Sequence, residues 1–591
     1  MEDSAQRGAC MNKKEVLRIG LAQIDGVVGD ISGNAAKIIE YYDEADENAV
    51  DIVTFPELSI TGYPPEDLLL KEEFIEDNLS ALREIVLHTE EGDAVAVIGY
   101  VNKDNAGNAF NSAAVVYRGR VCGNYHKILL PNYGVFDERR YFVPGTEATV
   151  FHLDGICVGV NICEDIWHPE GPSLTQARMG AELIITLNSS PYHIEKWKDR
   201  LGVLRERCRE IHRFITYVNL VGGQDELVFD GDSLVISPEG EMLARGARFE
   251  EDLLIADISR TNLGSVGKLD LTIPCPIDYS RSEFTVWTAE NAGRKKEKPQ
   301  TRASRGEALP RIAEIYAALV LGTRDYVRKN GFKGVLLGLS GGIDSALTAA
   351  IAVDALGKEN VKAVMMPSQF TSKESLEDAA MIAGNLGTDL YNIPITGTYS
   401  SYLDSLSDVF RDLRQDVTEE NIQARVRGNL LMALSNKFGW LLLTTGNKSE
   451  MSVGYCTLYG DMSGGFAVIK DVVKTDVYAL CRYKNEVSGR EILPRRVLEK
   501  APSAELRSSQ KDTDTLPSYE ILDPILQAYV ERNESPEEII QRGFRRETVE
   551  WVIRNVDRNE YKRRQAPPGV KITQRAFGKD RRMPITNGYK H

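Results

Sequence analysis

Two groups of residues in this chain of 591 have types and spacing suited to chemistry. The first is the turn Ser340-Gly341-Gly342-Ile343-Asp344-Ser345, set between an apolar run at 335–339 and an Ala-rich segment of helical spacing. A strand, a Gly-rich turn and a helix start make an anion site. The glycines let the backbone approach, the free N–H groups point at the ligand, and the helix dipole favours negative charge. An ordinary P-loop continues with Lys and then Ser or Thr, whereas Ile343 and Asp344 stand here. A carboxylate beside phosphates is repulsive unless a cation lies between them, and a magnesium ion shared by Asp344 and the phosphates is the simplest remedy.

The second group is Glu57, Lys127 and Cys163, each at the end of a strand-like run: TFPEL, NYHK ahead of a Leu-Leu-Pro break, and GVNICED. A thiol attacks an amide carbonyl as its thiolate. Cys163 therefore needs a base to take its proton, which Glu57 supplies, and a cation to hold the developing oxyanion, which Lys127 supplies. Singly these are ordinary residues, since a lone strand-end cysteine is usually buried and inert. The set, in this order and context, carries the meaning.

The elements that must position them fall into two stretches. Strand-like runs at 16–24, 52–55, 94–100, 113–117, 157–162, 183–187 and 214–218 alternate with helical spacing at 33–48, 68–86 and 195–212. They predict an α/β or α+β domain with a large sheet. A polar, charged segment with a proline, NAGRKKEKPQTRASR, reads as an inter-domain linker. Beyond it come a helix at 309–329, the Gly-rich unit, a strand at 361–366, a helix at 374–385, a short strand near Leu390, a helix at 421–438 and a strand at 441–445. That order predicts a doubly wound parallel sheet with the turn at the carboxyl end of its first strand, where such folds bind ligands. The expected organisation is a leader at 1–15, a first domain at 16–288, a linker at 289–306 and a second domain at 307–591.

Composition sets the outer bounds. The length allows two domains with separate cores, and 42% hydrophobic with 27% charged residues is ordinary for a soluble globular chain. A net charge of −16 argues against bulk binding to nucleic acid or anionic membrane. No apolar run approaches the length of a membrane span. The eight cysteines form no CxxC pair, which argues against zinc and for free thiols in a reducing, cytoplasmic setting.

The loop SGGIDS resembles the signature of the ATP-pyrophosphatase family, whose turn holds the departing pyrophosphate. Alone it leaves the substrate open. The words FPELSITGYPPEDLL, YHKILLPNYGVFDERRYF, GVNICEDIW and NSSPYHIEKWKDR resemble the nitrilase superfamily of Glu–Lys–Cys amide hydrolases, over roughly residues 16–286. That resemblance implies an α-β-β-α sandwich, with Glu57 as general base, Lys127 stabilising the tetrahedral intermediate and Cys163 forming a thioester. It places Tyr133, Ser190 and Lys196 at the glutamine, with Tyr63 and Glu164 in the same pocket, and it makes His126 and His193 structural.

In the second half, ENIQARVRGNLL, LLTTGNKSE, GYCTLYGD, KAPSAEL and YKRR resemble the NAD synthetase family. The resemblance implies ATP binding by Gly338, Leu339, Ser340, Gly341, Gly342, Ile343, Asp344, Ser345 and Thr445. It places Asn421, Glu450 and Lys562 at deamido-NAD, Lys474 at the transferring phosphates, and magnesium between Asp344 and Glu450, since two carboxylates with phosphate oxygens suit that hard ion. Residues 512–519 are expected to form a lid. Together the halves imply a ligase that amidates deamido-NAD with ammonia taken from glutamine. The partners are small molecules, with a homo-oligomer and an internal ammonia tunnel as family expectations. Two alternatives stand beside this reading: an amidotransferase that adenylates another acid, and a chain whose first half is an inactive scaffold so that only free ammonia is used.

Overall fold

The computed structural model describes residues 16–153, 155–264, 279–287, 308–507 and 510–589, so the leader 1–15 and the linker 289–306 lie outside the described residues. The chain divides into two compact units, Met1–Gln224 with Phe229–Ala308, and Asp225–Val228 with Leu309–His591.

Up to residue 287 the strands are β1 (Val16–Gln23), β2 (Ile52–Thr54), β3 (Val95–Lys103), β4 (Ala109–Tyr117), β5 (Arg120–His126), β6 (Glu147–Leu153), β7 (Ile156–Ile162), β8 (Leu183–Asn188), β9 (Phe214–Asn219), β10 (Val221–Gln224), β11 (Leu227–Asp230), β12 (Leu234–Ile236), β13 (Met242–Arg245), β14 (Asp252–Ser259) and β15 (Ser280–Trp287). The helices are α1 (Ile31–Glu47), α2 (Glu72–His88), α3 (Pro172–Arg178), α4 (Lys196–Ile211) and α5 (Arg260–Gly264). One sheet runs β14-β1-β2-β3-β4-β5 and a second runs β13-β12-β9-β8-β7-β6-β15.

Side-chain alternation along the strands explains the layering. From β1, Leu17, Ile19 and Leu21 enter a core shared with Val158, Val160 and Ile162 of β7, which lies between the sheets. Ala22 turns the other way and packs with Ala35, Ile38 and Tyr42 of α1. Behind the second sheet, Ile184 and Ile215 pack on Leu174 of α3 and on Leu204, Cys208 and Ile211 of α4. Helices, sheet, sheet and helices make the α-β-β-α sandwich expected from the sequence. The segment expected as one helix over 68–86 is two elements: a short 3-10 turn at Glu66–Leu70, extended backbone at Lys71, and then α2. β5 escapes the sequence pattern because it is a half-exposed sheet edge that carries Arg120 and Gly123.

In the second unit, β16 (Val335–Gly338), β17 (Val361–Met365), β18 (Asp389–Asn392), β19 (Leu441–Thr444) and β20 (Phe466–Ala467) form one parallel sheet. Its order is β18-β17-β16-β19-β20. The chain runs outward from β16 to β18, then returns to β16's other side, which makes β16 the switch point where such sheets bind ligands. Helices α6 (Arg311–Lys329), α7 (Ile343–Leu356), α8 (Lys373–Leu386), α9 (Thr396–Leu406), α10 (Val417–Phe438), α11 (Lys448–Val453), α12 (Lys474–Ser488), α13 (Arg495–Glu499) and α14 (Tyr519–Leu526) follow in order. Ile422, Val426 and Leu431 of α10 cover Leu336, Val364 and Leu442 of the sheet. α7 also packs on β16 and β17, with α6 and α12 against it. No helix among the described residues is long and apolar enough to cross a membrane.

Candidate functional site

In each unit the expected site residues gather around a buried lysine. In the first, β2 ends just before Pro56-Glu57-Leu58, and this strand end lies tight against β3. A Cβ at Gly99 would come within 2.2 Å of the Pro56 carbonyl oxygen, so the approach requires glycine. Glu57 is fully buried. Its Oε1 accepts from Lys127 Nζ (2.6 Å) and Asn111 Nδ2 (2.7 Å), and its Oε2 accepts from the Ser189 backbone N–H (3.0 Å).

Lys127, just past β5, also donates to Glu138 Oε1 (2.8 Å), which accepts from Tyr63 Oη as well (3.1 Å). Burial works against the Lys127 charge, but Glu138 and Glu57 outweigh it and keep the ammonium protonated. Burial pushes Glu138 up to about 7 despite Lys127. Cys163 follows β7 at a φ of 44°, a left-handed conformation that a side chain rarely adopts. Burial raises its thiol well above the ordinary range, Glu57 adds to the rise and Lys127 opposes it. The resting group is therefore a thiol, and its activation depends on transferring the proton.

Asp165 fixes the turn after Cys163. It accepts from Tyr125 Oη (2.7 Å) and from the backbone N–H groups of Leu129 (2.9 Å) and Ile162 (3.0 Å), so it ties the cysteine's strand to the lysine's. The three expected glutamine contacts gather on this side. Tyr133 Oη donates to Glu164 (2.9 Å), whose other partner is His168 (3.1 Å). Ser190 is held by Arg200 and the Asn219 amide. Lys196 stands over the Trp167 ring at 4.1 Å, and both Lys196 and Tyr133 lie where they would feel a thiolate formed at Cys163. His126 bonds Ser112 (2.7 Å) and stacks on Phe110, while His193 bonds the Ile194 carbonyl (3.0 Å).

In the second unit Gly338 ends β16, Leu339 donates its N–H to Val364 (2.9 Å), and Gly342 caps α7 without a side-chain bond. The turn is braced from within by Ser345, whose Oγ meets Ser340 Oγ (3.1 Å) and donates to the Gly342 carbonyl (2.9 Å). Gly341 has a φ of 80°, and a Cβ there would lie 2.3 Å from the Ser375 carbonyl oxygen. Asp344 and Ser345 sit in the first turn of α7, and Thr445 follows the last residue of β19.

Asp344 and Glu450 converge on one point, but the cation lying there is Lys474. Its Nζ donates to Asp344 Oδ2 (2.5 Å) and Glu450 Oε1 (2.9 Å). Burial opposes this charge, yet the two carboxylates outweigh it and hold Lys474 protonated. Burial lifts Glu450 to about 7, offset in part by Lys474. A lysine expected at the phosphates thus bridges the two carboxylates expected to hold magnesium. Two carboxylates already placed to share one cation do fit that ion, although among the described residues no group of three or more ligating side chains forms a metal cluster.

Asn421 accepts from Thr457 Oγ1 (2.8 Å), and Lys562 donates to the carbonyls of Gly454 (2.8 Å) and Cys456 (2.9 Å), so both flank the same loop. The segment expected as a lid is packed down. Asp512 and Tyr519 are buried and bonded to each other (2.8 Å), and Tyr519 reaches Glu450 (3.4 Å).

Sequence reasoning missed Glu138 and Asp165 in the first centre, and Asn447 and Asp523 in the second. Asn447 Nδ2 donates to Asp344 (2.9 Å) while its Oδ1 accepts from the Glu450 N–H (3.0 Å). Asp523 accepts from Ser449 Oγ (2.5 Å) and the Thr475 N–H (2.9 Å), gripping the neighbours of Glu450 and Lys474. Glu138, Asp165 and Asn447 stand inside the quoted words and Asp523 lies one helical turn past residues 512–519, but nothing in a single sequence marks them as buried.

Fold and sites define the class: a nitrilase-type carbon–nitrogen hydrolase domain joined to an NAD synthase domain. The carbon–nitrogen hydrolase family matches residues 18–268 and the NAD synthase family matches 315–566. A glutamine-dependent NAD(+) synthetase of Thermotoga maritima is 50% identical over 97% of this chain and 99% of its own. The structure of the Acinetobacter baumannii glutamine-dependent NAD+ synthetase in complex with ADP is 45% identical, with a TM-score of 0.72 over 97% of this chain and 99% of that one. A glutamine-dependent NAD(+) synthetase from Cytophaga hutchinsonii shares the fold at 23% identity, with a TM-score of 0.79 over 97% and 98% of the two chains. This chain belongs to the glutamine-dependent NAD(+) synthetase family, whose members are carbon–nitrogen ligases.

Proposed function

We propose that the domain at 16–288 releases ammonia from glutamine and that the domain at 307–591 uses it to amidate deamido-NAD. Glu57 takes the Cys163 proton as the sulfur attacks the glutamine amide carbon. Lys127 holds the resulting oxyanion, and the proton passes to the departing nitrogen, which leaves as ammonia. Water then hydrolyses the thioester to glutamate with Glu57 again as base. Tyr133, Ser190, Lys196 and Glu164 orient the amino acid.

In the second domain the substrate carboxylate attacks the α-phosphorus of ATP, expelling pyrophosphate and leaving an acyl-adenylate. Ammonia attacks its acyl carbon, AMP departs, and the amide of NAD remains. The turn from Gly338 to Ser345 holds the phosphates by backbone N–H groups, Thr445 holds the adenosine, and Asn421, Glu450 and Lys562 hold the dinucleotide. Asp344 and Glu450 would bind magnesium, which when bound neutralises phosphate charge. Lys474, beside both carboxylates, would face the same oxygens.

The observation that carries this reading is the pair of centres on one chain: a buried thiol among Glu57, Lys127 and Glu138, and a Gly-rich turn whose Asp344 shares a cation with Glu450. The test is formation of NAD, AMP and pyrophosphate from deamido-NAD and Mg-ATP, with glutamine or ammonium as donor. Products from both donors are expected. Absence of NAD with either donor sinks the synthetase assignment, and NAD from ammonium alone sinks the glutaminase assignment. The homo-oligomer belongs to the same reading and is checked by light scattering on the eluted protein.

A further inference from the structure

Several buried guanidinium groups in this molecule rest on carboxylates, among them Arg200 on Asp230 (2.7 Å), Arg245 on Asp232 (2.5 Å) and Arg563 on Glu560 (2.8 Å). Arg427 of α10 departs from that pattern. It is half-buried, and its one hydrogen bond runs from Nε to the Met366 carbonyl (3.1 Å). Among the described residues it makes no ion pair. Burial lowers it to about 10, and the sole charge acting in its favour is Glu505.

Glu505 is itself committed. Its Oε1 accepts from Lys500 Nζ (2.9 Å), Ser372 Oγ (2.9 Å) and Ser375 Oγ (2.8 Å), and its Oε2 accepts from the Ser372 N–H (3.2 Å). Among the described residues the two terminal nitrogens of Arg427 thus have no acceptor. A half-buried guanidinium with unused donors is open to an incoming anion.

The place of Arg427 says which anion. Gly338 pairs with Val364 across β16 and β17, so Met366, two residues on, is level with the start of the Ser340 turn. Leu431, one turn along α10 from Arg427, lies 3.5 Å from where a Gly338 Cβ would stand. On the other side, Ser375, bonded to Glu505, touches Gly341 of the turn. Arg427 therefore flanks the turn proposed to hold phosphates. We propose that Arg427 binds a phosphoryl oxygen of ATP through the terminal nitrogens of its guanidinium, as a second clamp on the phosphates beside the backbone N–H groups of the turn. The inference rests on the second domain being ATP-dependent. A planar fork suits a phosphoryl group, and a lysine would supply charge without the paired geometry.

The test measures binding of Mg-ATP, and separately of deamido-NAD, to the full chain by calorimetry, for wild type, Arg427→Gln and Arg427→Lys. Unfolding midpoints are taken without ligand. Loss of the charged fork should weaken ATP binding by ~10–100-fold in Arg427→Gln, with a smaller loss in Arg427→Lys. The ligand-free midpoint of Arg427→Gln should stay near that of wild type, because among the described residues the change breaks no ion pair, whereas a structural arginine would lower it.

ATP affinity in Arg427→Gln within about twofold of wild type overturns the proposal, whatever happens to the midpoint. A loss confined to deamido-NAD overturns it too and gives Arg427 to the dinucleotide's anions. Failure of the wild type to bind ATP at all would instead overturn the reading of the domain, and with it this inference.

Discussion

Lys127 and Lys474 are the same device in two settings. Each is a buried ammonium between two carboxylates, with Glu57 and Glu138 in one unit and Asp344 and Glu450 in the other. The settings differ in access. Glu57 and Lys127 expose no side-chain surface and Glu138 exposes 6%, whereas Asp344 and Glu450 keep 19% and 18%. The first lysine is a fixture, because nothing else can reach its partners to replace it. The second stands where water, an ion or a phosphate can reach the carboxylates. The difference matches the chemistry proposed for each. Thioester formation needs a preset oxyanion partner, while phosphoryl transfer brings its own charges and needs a site that can open to receive them.

The sharpest separation of the two centres is Cys163→Ala. It should lower glutamine-dependent NAD formation by ~10^4-fold or more while the ammonium-dependent rate stays near wild type. Equal losses with both donors would break the division of labour between the units. The next test compares lysines. Lys127→Met leaves two carboxylates sealed without a cation and should destabilise its unit by ~3–5 kcal/mol. Lys474→Met leaves carboxylates that solvent can reach and should cost about 1 kcal/mol. The comparison is read from unfolding midpoints, and equal shifts would mean that access does not distinguish the sites. A third test asks what can take the lysine's place. Millimolar magnesium should raise the midpoint of Lys474→Met by several degrees more than that of wild type, where the ammonium competes, and leave Lys127→Met unmoved. No magnesium response in Lys474→Met would remove Asp344 and Glu450 as its ligands.

The two centres were also unequally legible in the sequence. Glu57, Lys127 and Cys163 each close a β-rich run, so their common placement at strand ends follows from period and turn signals alone. Likewise SGGIDS between a strand and a helix states its own geometry. Glu138 was hidden because DERR reads as a solvated charge run, and its burial against Lys127 is set by Pro131 and Tyr141, whose backbones fold the loop back. Asn447 joins Asp344 to Glu450 across 103 residues of sequence, a contact with no local signature. The Lys474 bridge was unforeseen for another reason. Sequence reasoning put lysine with phosphate and carboxylates with magnesium, as in a loaded site, whereas the protein alone must balance its own charges. Fold class was clearer than boundaries. Alternation gave a large sheet in the first half and the parallel sheet in the second, and the family resemblance implied the sandwich, while the extended Lys71 between Glu66–Leu70 and α2 broke a segment whose apolar spacing ran on unbroken.

The last prediction concerns pH, and it probes the closed centre alone. Burial lifts Glu138 from an ordinary 4.5 to about 7. Between those values the folded protein holds a proton that the unfolded chain has released, so the native state binds more protons and stability falls as pH rises across the window. The slope contributed is at most about 1.4 kcal/mol per pH unit. It disappears below the lower value, where both states are protonated, and above the upper one, where neither is. Glu138 Oε2 has no hydrogen-bond partner, which leaves room for that proton. Glu138→Gln keeps an oxygen for Lys127 and Tyr63 while removing the titration. Its unfolding midpoint should therefore fall less between pH 5 and about 7 than that of wild type, with the two curves parallel at higher pH. Curves parallel throughout would mean that Glu138 is charged in the resting protein across that window.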